Sequence, residues 1–443
     1  MAAGSWADAA LHQYYTEVRD LQTLVGRATP LLDRIRKNSM VDGSATGLFF
    51  TLQGGMGMAG DLASAQVVSA QSGTGLSGGA AGASTLDGEW LLPTGQIETS
   101  LILKYKDLVR GKSNKGAYLR NLTHETDKHG EYFGERLAQL IMRPSGYPLA
   151  QVDVTDEDAG IITCLVPSDI ANIYKGMILV ASANDGSTST DTLLDIGTPG
   201  SLGRAIVESV DRDAGTFVVT TTNAANDLEG AWGADGTDVY VFPLGQFRPT
   251  LPGATFNDKL MIQTLSEWLT PSAATDTFGT VDRSADSALS GVRIPTATIS
   301  AMSIENKLQF AAAYMQSRFA GRKAPTFVLQ TEQWFELVRS LQAQGIVGDL
   351  GAKLKTGGRA VELATVNGVA EVIAEPHQDP NFFYGLIPEE IEIRHLDGLP
   401  GVANADGLEM LRQSDSNNLE FRLISFPQLV MREPWLHCRG SLL

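Results

Sequence analysis

A run of glycines near the N-terminus has the spacing of a nucleotide-binding motif. Gly55, Gly57 and Gly60 occupy the three glycine positions of the dinucleotide fingerprint. That chemistry also needs a following helix that points its N-terminus at the pyrophosphate, and an acidic residue roughly 20 positions further on for the ribose. Residues 62–86 contain no Asp or Glu. A glycine-rich loop is therefore favoured over a dinucleotide-binding enzyme, which stays as a remote alternative.

Two further patterns fail on spacing. His124, Glu125 and His129 resemble a zinc-protease signature, but the histidines are five residues apart, and a helix turns by about 500° over five residues. The two imidazoles would point in different directions. The Gly-Lys-Ser sequence at 111–113 resembles a phosphate loop, but Lys106 stands where such a loop requires glycine.

Acidic residues and cysteines also give no site. A cluster of four carboxylates lacks the glycine and the glutamate that a calcium loop places at its sixth and twelfth positions, so a solvated acidic turn is favoured; its members are Asp153, Asp156, Glu157 and Asp158. Cys164 and Cys438 are too few and too far apart for a disulfide scaffold or a cysteine zinc site. Because no nucleophile, base and oxyanion set remains, we expect no catalytic site, no cofactor and no metal.

A basic segment follows the glycine-rich region. Its basic residues have one acid, Asp107, among them; they are Lys104, Lys106, Arg110, Lys112, Lys115 and Arg120. The set is small for nucleic-acid binding. It suits ionic contact with an acidic partner surface, with a solvated helix face as the equal alternative.

The composition indicates several folded units and an unusual surface. The chain has 443 residues, a formal net charge of -17 and 46 glycines, and 19% of its residues are charged against the roughly 25% usual for soluble domains. Its length exceeds what one hydrophobic core supports. No basic n-region and no long apolar run is present, so we expect a protein that neither crosses nor binds a membrane.

The N-terminal segment is predicted to be an arm. Residues 5–25 carry an apolar stripe at helical spacing that includes Trp6, Tyr14, Val18 and Leu21. This helix packs either on its own domain or on a neighbouring subunit. The polar and basic stretch at 29–37 continues the arm.

The next elements are a hairpin and a long helix. Residues 47–52 and 97–105 are strand-like and are predicted to be the two legs of one long hairpin. Between them, residues 53–95 are rich in Gly, Ala and Ser and contain no Lys or Arg, which is typical of a flexible loop that becomes ordered against a neighbour. Residues 116–142 have the longest helical periodicity.

The remaining chain divides into two parts. Residues 150–245 contain short β-type runs separated by turn residues, which predicts a small antiparallel barrel or sandwich. This segment has fifteen acids against three bases, and so contributes -12 of the -17 net charge. Residues 246–443 mix helices with strands, and Asn367-Gly368 between two apolar runs predicts a hairpin.

The order of several motifs resembles the major capsid proteins of tailed bacteriophages that have the Hong Kong 97 fold. The resemblance begins at Glu267-Trp268 and continues through Asp282-Arg283. It then follows a helix at 303–320, the Asn367-Gly368 hairpin, the strand at 419–423 and Pro434. It covers the chain except residues 150–245.

The resemblance implies an α+β capsid fold with an inserted all-β barrel or sandwich domain. The implied parts are an N-terminal arm (1–45), an extended loop (46–110), the spine helix of the peripheral domain (111–149), the inserted acidic domain (150–245), a mainly axial domain (246–415) and strands that return to the peripheral domain (416–443). It also implies a subunit interface to which we assign Trp6, Tyr14, Val18, Leu21, Lys104, Lys106, Arg110, Trp268, Asp282 and Arg283.

The implied function is a structural one. Such a subunit assembles with itself into hexamers and pentamers of an icosahedral shell, in the host cytoplasm, and becomes part of the virion around double-stranded DNA that it does not bind by sequence. A separate scaffolding protein, a portal and a cement protein are the expected partners. Because residues 53–95 lack lysine, we expect no covalent cross-link from that loop. A non-viral protein nanocompartment with the same fold is the alternative.

Overall fold

The structure is a computed structural model that describes most of the chain from residue 29 onward. The described residues are 29–39, 43–44, 47–56, 85–92, 95, 97–103, 115–142, 148–156, 159–185, 193–194, 204–221, 232, 236, 238–244, 262–271, 277–278, 281–283, 287–319, 323–343, 360–366, 368–396, 398–402, 410–412 and 418–442.

Helices and sheets are both present, so the chain is α+β as predicted. The helices are α1 (Pro30–Arg34), α2 (Lys115–Met142), α3 (Leu265–Trp268), α4 (Thr296–Ile299), α5 (Ile304–Phe319) and α6 (Thr331–Ala343). The 28-residue helix α2 matches the longest helical pattern of the sequence. Single 3-10 turns lie at Pro167–Asn172, Ser287–Ser290, Pro388–Glu390 and Pro434–Leu436.

The strands fall into an N-terminal set, a barrel set and a C-terminal set. The N-terminal strands are β1 (Arg36–Ser39), β2 (Gly43–Ser44), β3 (Gly47–Met56), β4 (Thr85–Leu92) and β5 (Ile97–Leu103). The barrel strands are β6 (Ala150–Asp156), β7 (Ile161–Cys164), β8 (Ile178–Ser182), β9 (Ala205–Asp211), β10 (Thr216–Thr221) and β11 (Asp238–Pro243). The C-terminal strands are β12 (Thr277–Phe278), β13 (Val281–Asp282), β14 (Val292–Arg293), β15 (Thr326–Leu329), β16 (Ala360–Thr365), β17 (Gly368–Ala374), β18 (Phe382–Leu386), β19 (Ile391–His395), β20 (Gly401–Val402), β21 (Met410–Arg412), β22 (Leu419–Ser425), β23 (Pro427–Met431) and β24 (Cys438–Ser441).

The last strands of the chain each join a different sheet. β22 pairs with β5, β20 and β21, and β23 pairs with β19 in the sheet β1-β19-β23. β24 lies inside the six-stranded sheet β14-β24-β18-β15-β17-β16. β24 completes the sheet against which α5 and α6 pack. The assignment of residues 416–443 as strands that return to the peripheral domain stays a prediction.

The barrel closes on itself. Its strand order is β10-β7-β6-β11-β8-β9, and β9 pairs back to β10. Alternate residues of β6 are buried, as a half-buried strand requires, and Phe217 and Trp232 fill the interior. The strands expected in residues 150–245 are therefore present, and they form a barrel rather than a sandwich. Its status as an inserted domain stays a prediction.

Part of the segment predicted to be an arm packs into the chain's own core, through three apolar residues between positions 31 and 35. Thr29 caps α1 by accepting a hydrogen bond from the Leu32 amide, and Leu31, Leu32 and Ile35 are buried with α2 in the largest hydrophobic cluster. β1 then pairs in parallel with β19. This packing was not evident from the sequence, because a helix of five residues is too short to show an apolar period.

The prediction that 47–52 and 97–105 are two legs of one hairpin is wrong. β3 pairs with β4, with Phe50 opposite Trp90, whereas β5 pairs with β22 from the far end of the chain. β3 and β4 therefore extend into the segment predicted as a loop (53–95), because β3 reaches Met56 and β4 starts at Thr85.

The Asn-Gly hairpin is confirmed. β16 and β17 pair in antiparallel register from Ala360↔Ile373 to Thr365↔Gly368. Gly368 has a φ of 120°, a conformation that favours glycine, and the Thr365 hydroxyl donates a hydrogen bond of 2.8 Å to the Gly368 carbonyl.

Because residues 29–35 belong to the core, replacing a buried leucine there by alanine should lower the free energy of unfolding as much as the same replacement elsewhere in a core. We expect Leu32→Ala to lower the free energy of unfolding by about 2–5 kcal/mol. Asp33→Ala, at an exposed position of the same helix, should change it by no more than about 1 kcal/mol. Urea denaturation measures both; equal and small effects would mean that the segment is undocked.

Two glycines of the barrel with positive φ make a matched pair. Gly160 (φ 66°) and Gly236 (φ 79°) both need a left-handed backbone, but only at Gly160 would a Cβ overlap another group, the Val219 carbonyl oxygen. We expect Gly236→Ala to cost about 1–2 kcal/mol and Gly160→Ala about 1–3 kcal/mol more. Hydrogen exchange of the barrel amides gives both values, and indistinguishable values would contradict the close approach.

Candidate functional site

Trp268 ends a short helix that a capping box starts. The Thr264 hydroxyl accepts a hydrogen bond from the Glu267 amide at 3.2 Å, and the Glu267 carboxylate accepts one from the Thr264 amide at 3.1 Å. This fixes α3, so that the Trp268 indole donates a hydrogen bond of 3.2 Å to the Leu429 carbonyl of β23. Thr264 and Glu267 have the Thr-x-x-Glu spacing from which such a cap is predictable.

Arg283 lies against the same group of aromatic rings. Its guanidinium carbon is 4.4 Å from the centre of the Phe278 ring, and that ring meets Trp268 edge-on at 4.9 Å. Arg283 also donates a 2.6 Å hydrogen bond to the Glu267 carbonyl. A guanidinium over an aromatic face away from water is stabilised by about 2 kcal/mol.

The interface prediction does not fit Trp268 and Arg283. Trp268 is 0% exposed and Arg283 is 3% exposed within the single chain, so neither presents surface to a neighbour. The sequence could not separate the two roles, because an aromatic residue near an Asp-Arg pair suits an interface as well as a core. Trp268 instead joins α3 to β23, and Arg283, which directly follows β13, binds to α3.

The N-terminal segment is held by ionic contacts as well as by packing. Arg34 makes a two-pronged contact with the Glu371 carboxylate of β17, of which the Nη2–Oε1 bond is 2.6 Å. The Leu31 amide donates to the Glu375 carboxylate at 3.4 Å. Both partners of the Arg34–Glu371 pair are about one-third exposed, so solvent screening limits the pair to about 1 kcal/mol or less.

A buried polar junction joins the barrel to the rest of the chain. The Asn172 side-chain oxygen accepts hydrogen bonds from Gln139 of α2 at 2.7 Å and from the Nδ1 atom of His377 at 3.1 Å, if that nitrogen carries its proton. The Asn172 amide nitrogen donates to the Leu149 carbonyl at 3.4 Å. Three separate segments therefore meet at one side chain that is 2% exposed.

This junction fixes how the barrel sits on the frame, which is our name for the described chain outside residues 148–244. Buried polar groups are costly unless they are hydrogen-bonded, so the partners of Asn172 have few alternatives. Sequence reasoning missed it because Gln139, Asn172 and His377 lie far apart in the chain, and a lone amide on a helix or turn carries no signal of its partners.

Two adjacent titratable residues near the C-terminus, His437 and Cys438, are not activated for chemistry. Burial lowers the pKa of the His437 imidazole to about 3 and raises the pKa of the Cys438 thiol to about 12. The His437 Nδ1 atom accepts a hydrogen bond from the Ile387 amide at 3.1 Å, so the ring is neutral. A protonated thiol and a neutral, enclosed imidazole do not form an activated nucleophile.

The glycine fingerprint has no dinucleotide-binding context in the described strands. Gly55 lies in β3, which pairs in antiparallel fashion with β2 and β4. A dinucleotide site is built on a parallel strand that turns into a helix. Gly57 and Gly60 lie outside the described residues.

For the other predicted interface residues, the structure does not describe the side chains, so their role stays a prediction. Trp6, Tyr14, Val18, Leu21, Lys104, Lys106 and Arg110 lie outside the described residues, and Asp282 is placed in β13 by its backbone. Within the described ranges, no group of three or more His, Cys, Asp or Glu side chains could hold a metal ion. No helix among them is long and apolar enough to span a bilayer.

Comparisons with known proteins give structural neighbours alone. No family model and no curated protein matches the chain. Among solved structures, the chain is similar to one described as satellite phage P4 procapsid including size determination (Sid) protein, with 12% identity, a TM-score of 0.34, and coverage of 99% of this chain and 96% of that chain. It is also similar to a structure of mycobacterium phage Che8, with 15% identity, a TM-score of 0.26, and coverage of 34% of this chain and 53% of that chain. Both TM-scores are low, so neither structure establishes the fold or the function of this chain.

The junction at Asn172 has a measurable cost of disruption. Asn172→Ala leaves the buried Gln139 and His377 donors without their acceptor, which should lower the free energy of unfolding by about 1–3 kcal/mol. Asn184→Ala, at an exposed position of the barrel, should stay within about 0.5 kcal/mol of the unaltered chain. Urea denaturation gives the values, and hydrogen exchange at the Leu149 amide, which donates to Val241, locates the change. Equal stability of the two variants would show that the junction is dispensable.

Proposed function

We propose that the chain is a major capsid protein, which assembles with itself into the icosahedral shell that encloses the double-stranded DNA of a tailed bacteriophage. The role is structural and non-catalytic. One observation carries the proposal, and it concerns the sheet formed by β2, β3 and β4.

That sheet has no further partner among the described strands. β3 pairs with β2 and with β4, and no other described strand is hydrogen-bonded to them, although β4 lies against β13. A ribbon of two or three strands is marginal in water unless a hydrophobic face is covered. A ribbon this long, with β3 of ten residues and β4 of eight, therefore needs a covering surface.

The register places apolar residues on both faces of the ribbon. Phe50 is opposite Trp90, and the next pair along, Phe49 and Leu91, belongs to the other face because successive residues of a strand alternate. The rest of the same chain can cover one face, but both faces need cover. A neighbouring copy supplies the second surface, and burying apolar area there contributes about 25 cal/mol per Å².

The order of the sequence motifs supports a shell subunit over other self-associating proteins. A ribbon, a long helix, a mixed helix and sheet region and closing strands follow one another as in the capsid proteins that the sequence resembles. The barrel interrupts this order between α2 and α3, and its strands pair only with one another, as an insertion would.

The net charge fits a container for DNA. A protein with a formal charge of -17 has no general affinity for phosphate backbones, and a shell does not need to hold its contents tightly. The proposed partners are other copies in hexamers and pentamers, a scaffolding protein, a portal and a cement protein. The proposed location is the virion, after assembly in the host cytoplasm.

Electron microscopy of the purified chain tests the proposal, and a ribbon variant sharpens it. We expect shells, tubes or capsomers from the unaltered chain. Phe50→Ser combined with Trp90→Ser should abolish them while the subunit stays folded, because each lost aromatic side chain removes about 1.5–3 kcal/mol from every contact. Leu165→Ser, which removes an exposed apolar side chain from the barrel, is the matched control and should assemble normally.

A monodisperse single chain under all conditions would refute the proposal, and normal shells from the ribbon variant would refute the role of the ribbon. The contents of particles from the native source separate the two shell functions. DNA inside supports a virus capsid, whereas an enzyme cargo supports the nanocompartment alternative.

A further inference from the structure

His437 lies at the point where the last strand enters the six-stranded sheet. Its carbonyl oxygen accepts a hydrogen bond of 2.9 Å from the Val292 amide of β14. Its Nδ1 atom accepts another, of 3.1 Å, from the amide of Ile387, which directly follows β18. β24 begins at the next residue and lies between β14 and β18. One residue therefore ties the start of β24 to both of its neighbours.

The ring of His437 fits its surroundings only in the neutral form. Because Nδ1 accepts a hydrogen bond from the Ile387 amide, the single proton of the neutral ring is on Nε2. His437 is 0% exposed, and no described residue accepts a hydrogen bond from its Nε2 atom. A second proton, on Nδ1, would break the bond to Ile387 and leave a charge enclosed away from water.

Charged groups on the surrounding elements do not compensate for such a charge. They are Arg293 of β14, Lys307 of α5, Arg439 of β24, Glu389 and Glu390 of the turn after Ile387, and Glu433 before the turn at Pro434–Leu436. The three bases each donate a hydrogen bond to an oxygen elsewhere in the chain. None of the six groups bonds to the ring, and burial rather than charge sets the pKa of the ring.

We propose that the neutral His437 ring holds β24 in the sheet and that uptake of a proton by this ring favours release of the strand. The proton comes from the solvent and binds Nδ1 once the strand has opened, and the Ile387 amide then bonds to water. The inference goes beyond the proposed function, since it concerns the single chain and holds whether or not copies assemble.

The direction of the pH dependence follows from the two states of the ring. Burial lowers the pKa of the His437 ring from 6.5 to about 3 in the closed sheet, and the ring regains its usual pKa when the strand opens. Between these values the open state binds a proton that the closed state does not. Opening therefore becomes more favourable as the pH falls below about 6.5 and stops gaining near about pH 3. From about pH 7.5 to about pH 5.5, the open fraction should rise about tenfold.

Two free cysteines allow the opening to be measured in the unaltered chain. Cys438 is in β24 and Cys164 is in β7 of the barrel, and both are buried. The probe is 4,4′-dithiodipyridine, which reacts with thiols in weakly acidic solution and labels each cysteine only when its strand opens. Mass spectrometry assigns the label, and the ratio of the two labelling rates cancels the effect of pH on the thiols themselves.

We expect the rate ratio of Cys438 to Cys164 to rise about tenfold from about pH 7.5 to about pH 5.5, because only β24 carries the proposed contact. This range stays above the pKa of ordinary carboxylates, so their titration adds little.

Two kinds of variant assign the effect to the ring. His437→Gln and His437→Asn keep an oxygen acceptor for the Ile387 amide but carry no group that titrates in this range. In both, the ratio should change by less than about twofold. His129→Gln removes a histidine from α2, outside the six-stranded sheet, and as the matched control should keep the full rise. The pH profile of the unaltered chain needs no substitution, so the test stands even if a variant folds poorly.

Every outcome bears on the proposal. A rise in the unaltered chain and in His129→Gln that is absent from the His437 variants supports it. A constant ratio in the unaltered chain overturns it, as does a rise that persists in the His437 variants or is lost in His129→Gln. Shells with a constant ratio would refute the role of His437 and leave the shell function standing, whereas release by acid without shells would do the reverse.

Discussion

The strands at the C-terminal end of the chain complete three sheets that earlier segments leave open. β22 pairs with β5, β23 pairs with β19, and β24 lies between β14 and β18. An open strand edge is a row of unpaired backbone donors and acceptors, and each pairing here satisfies one such edge from far away in the chain. Trp268, through its bond to the Leu429 carbonyl, and Arg439, stacked at 3.9 Å on Phe382, add side-chain contacts to the same strands. The frame therefore becomes complete when its last strands are in place.

The barrel, in contrast, is built from strands that lie close together in the chain. Each of its strands pairs with others from residues 150–243, and its core of aliphatic residues, Phe217 and Trp232 is its own. Such local pairing costs little loop-closure entropy and forms quickly, whereas the pairing of β5 with β22 spans most of the chain. The two units meet at the Asn172 junction. This division places most of the chain's net negative charge on a unit that has its own hydrophobic core.

The sequence predicted the elements better than it predicted their partners. Helix α2, the Asn-Gly hairpin and the short strands of the barrel were predictable, because apolar periodicity and turn residues are local signals. The pairing of β3 with β4 and of β5 with β22 was not, because alternating strands carry no mark of the strand beside them. The burial of Leu31 and Leu32 was missed because one turn of helix is too short to show a period. Trp268 and Arg283 were assigned to an interface, yet the residue types that fill an interface also fill a core.

Native-state hydrogen exchange of the unassembled chain tests the division into a frame and a locally closed barrel most directly. The account predicts that amides of β22, β23 and β24 open in one cooperative step together with their partners β5, β19 and β18, at a free energy different from that of β6 to β11. Exchange of the barrel and the frame in a single step, or separate opening of β22, β23 and β24, would contradict it.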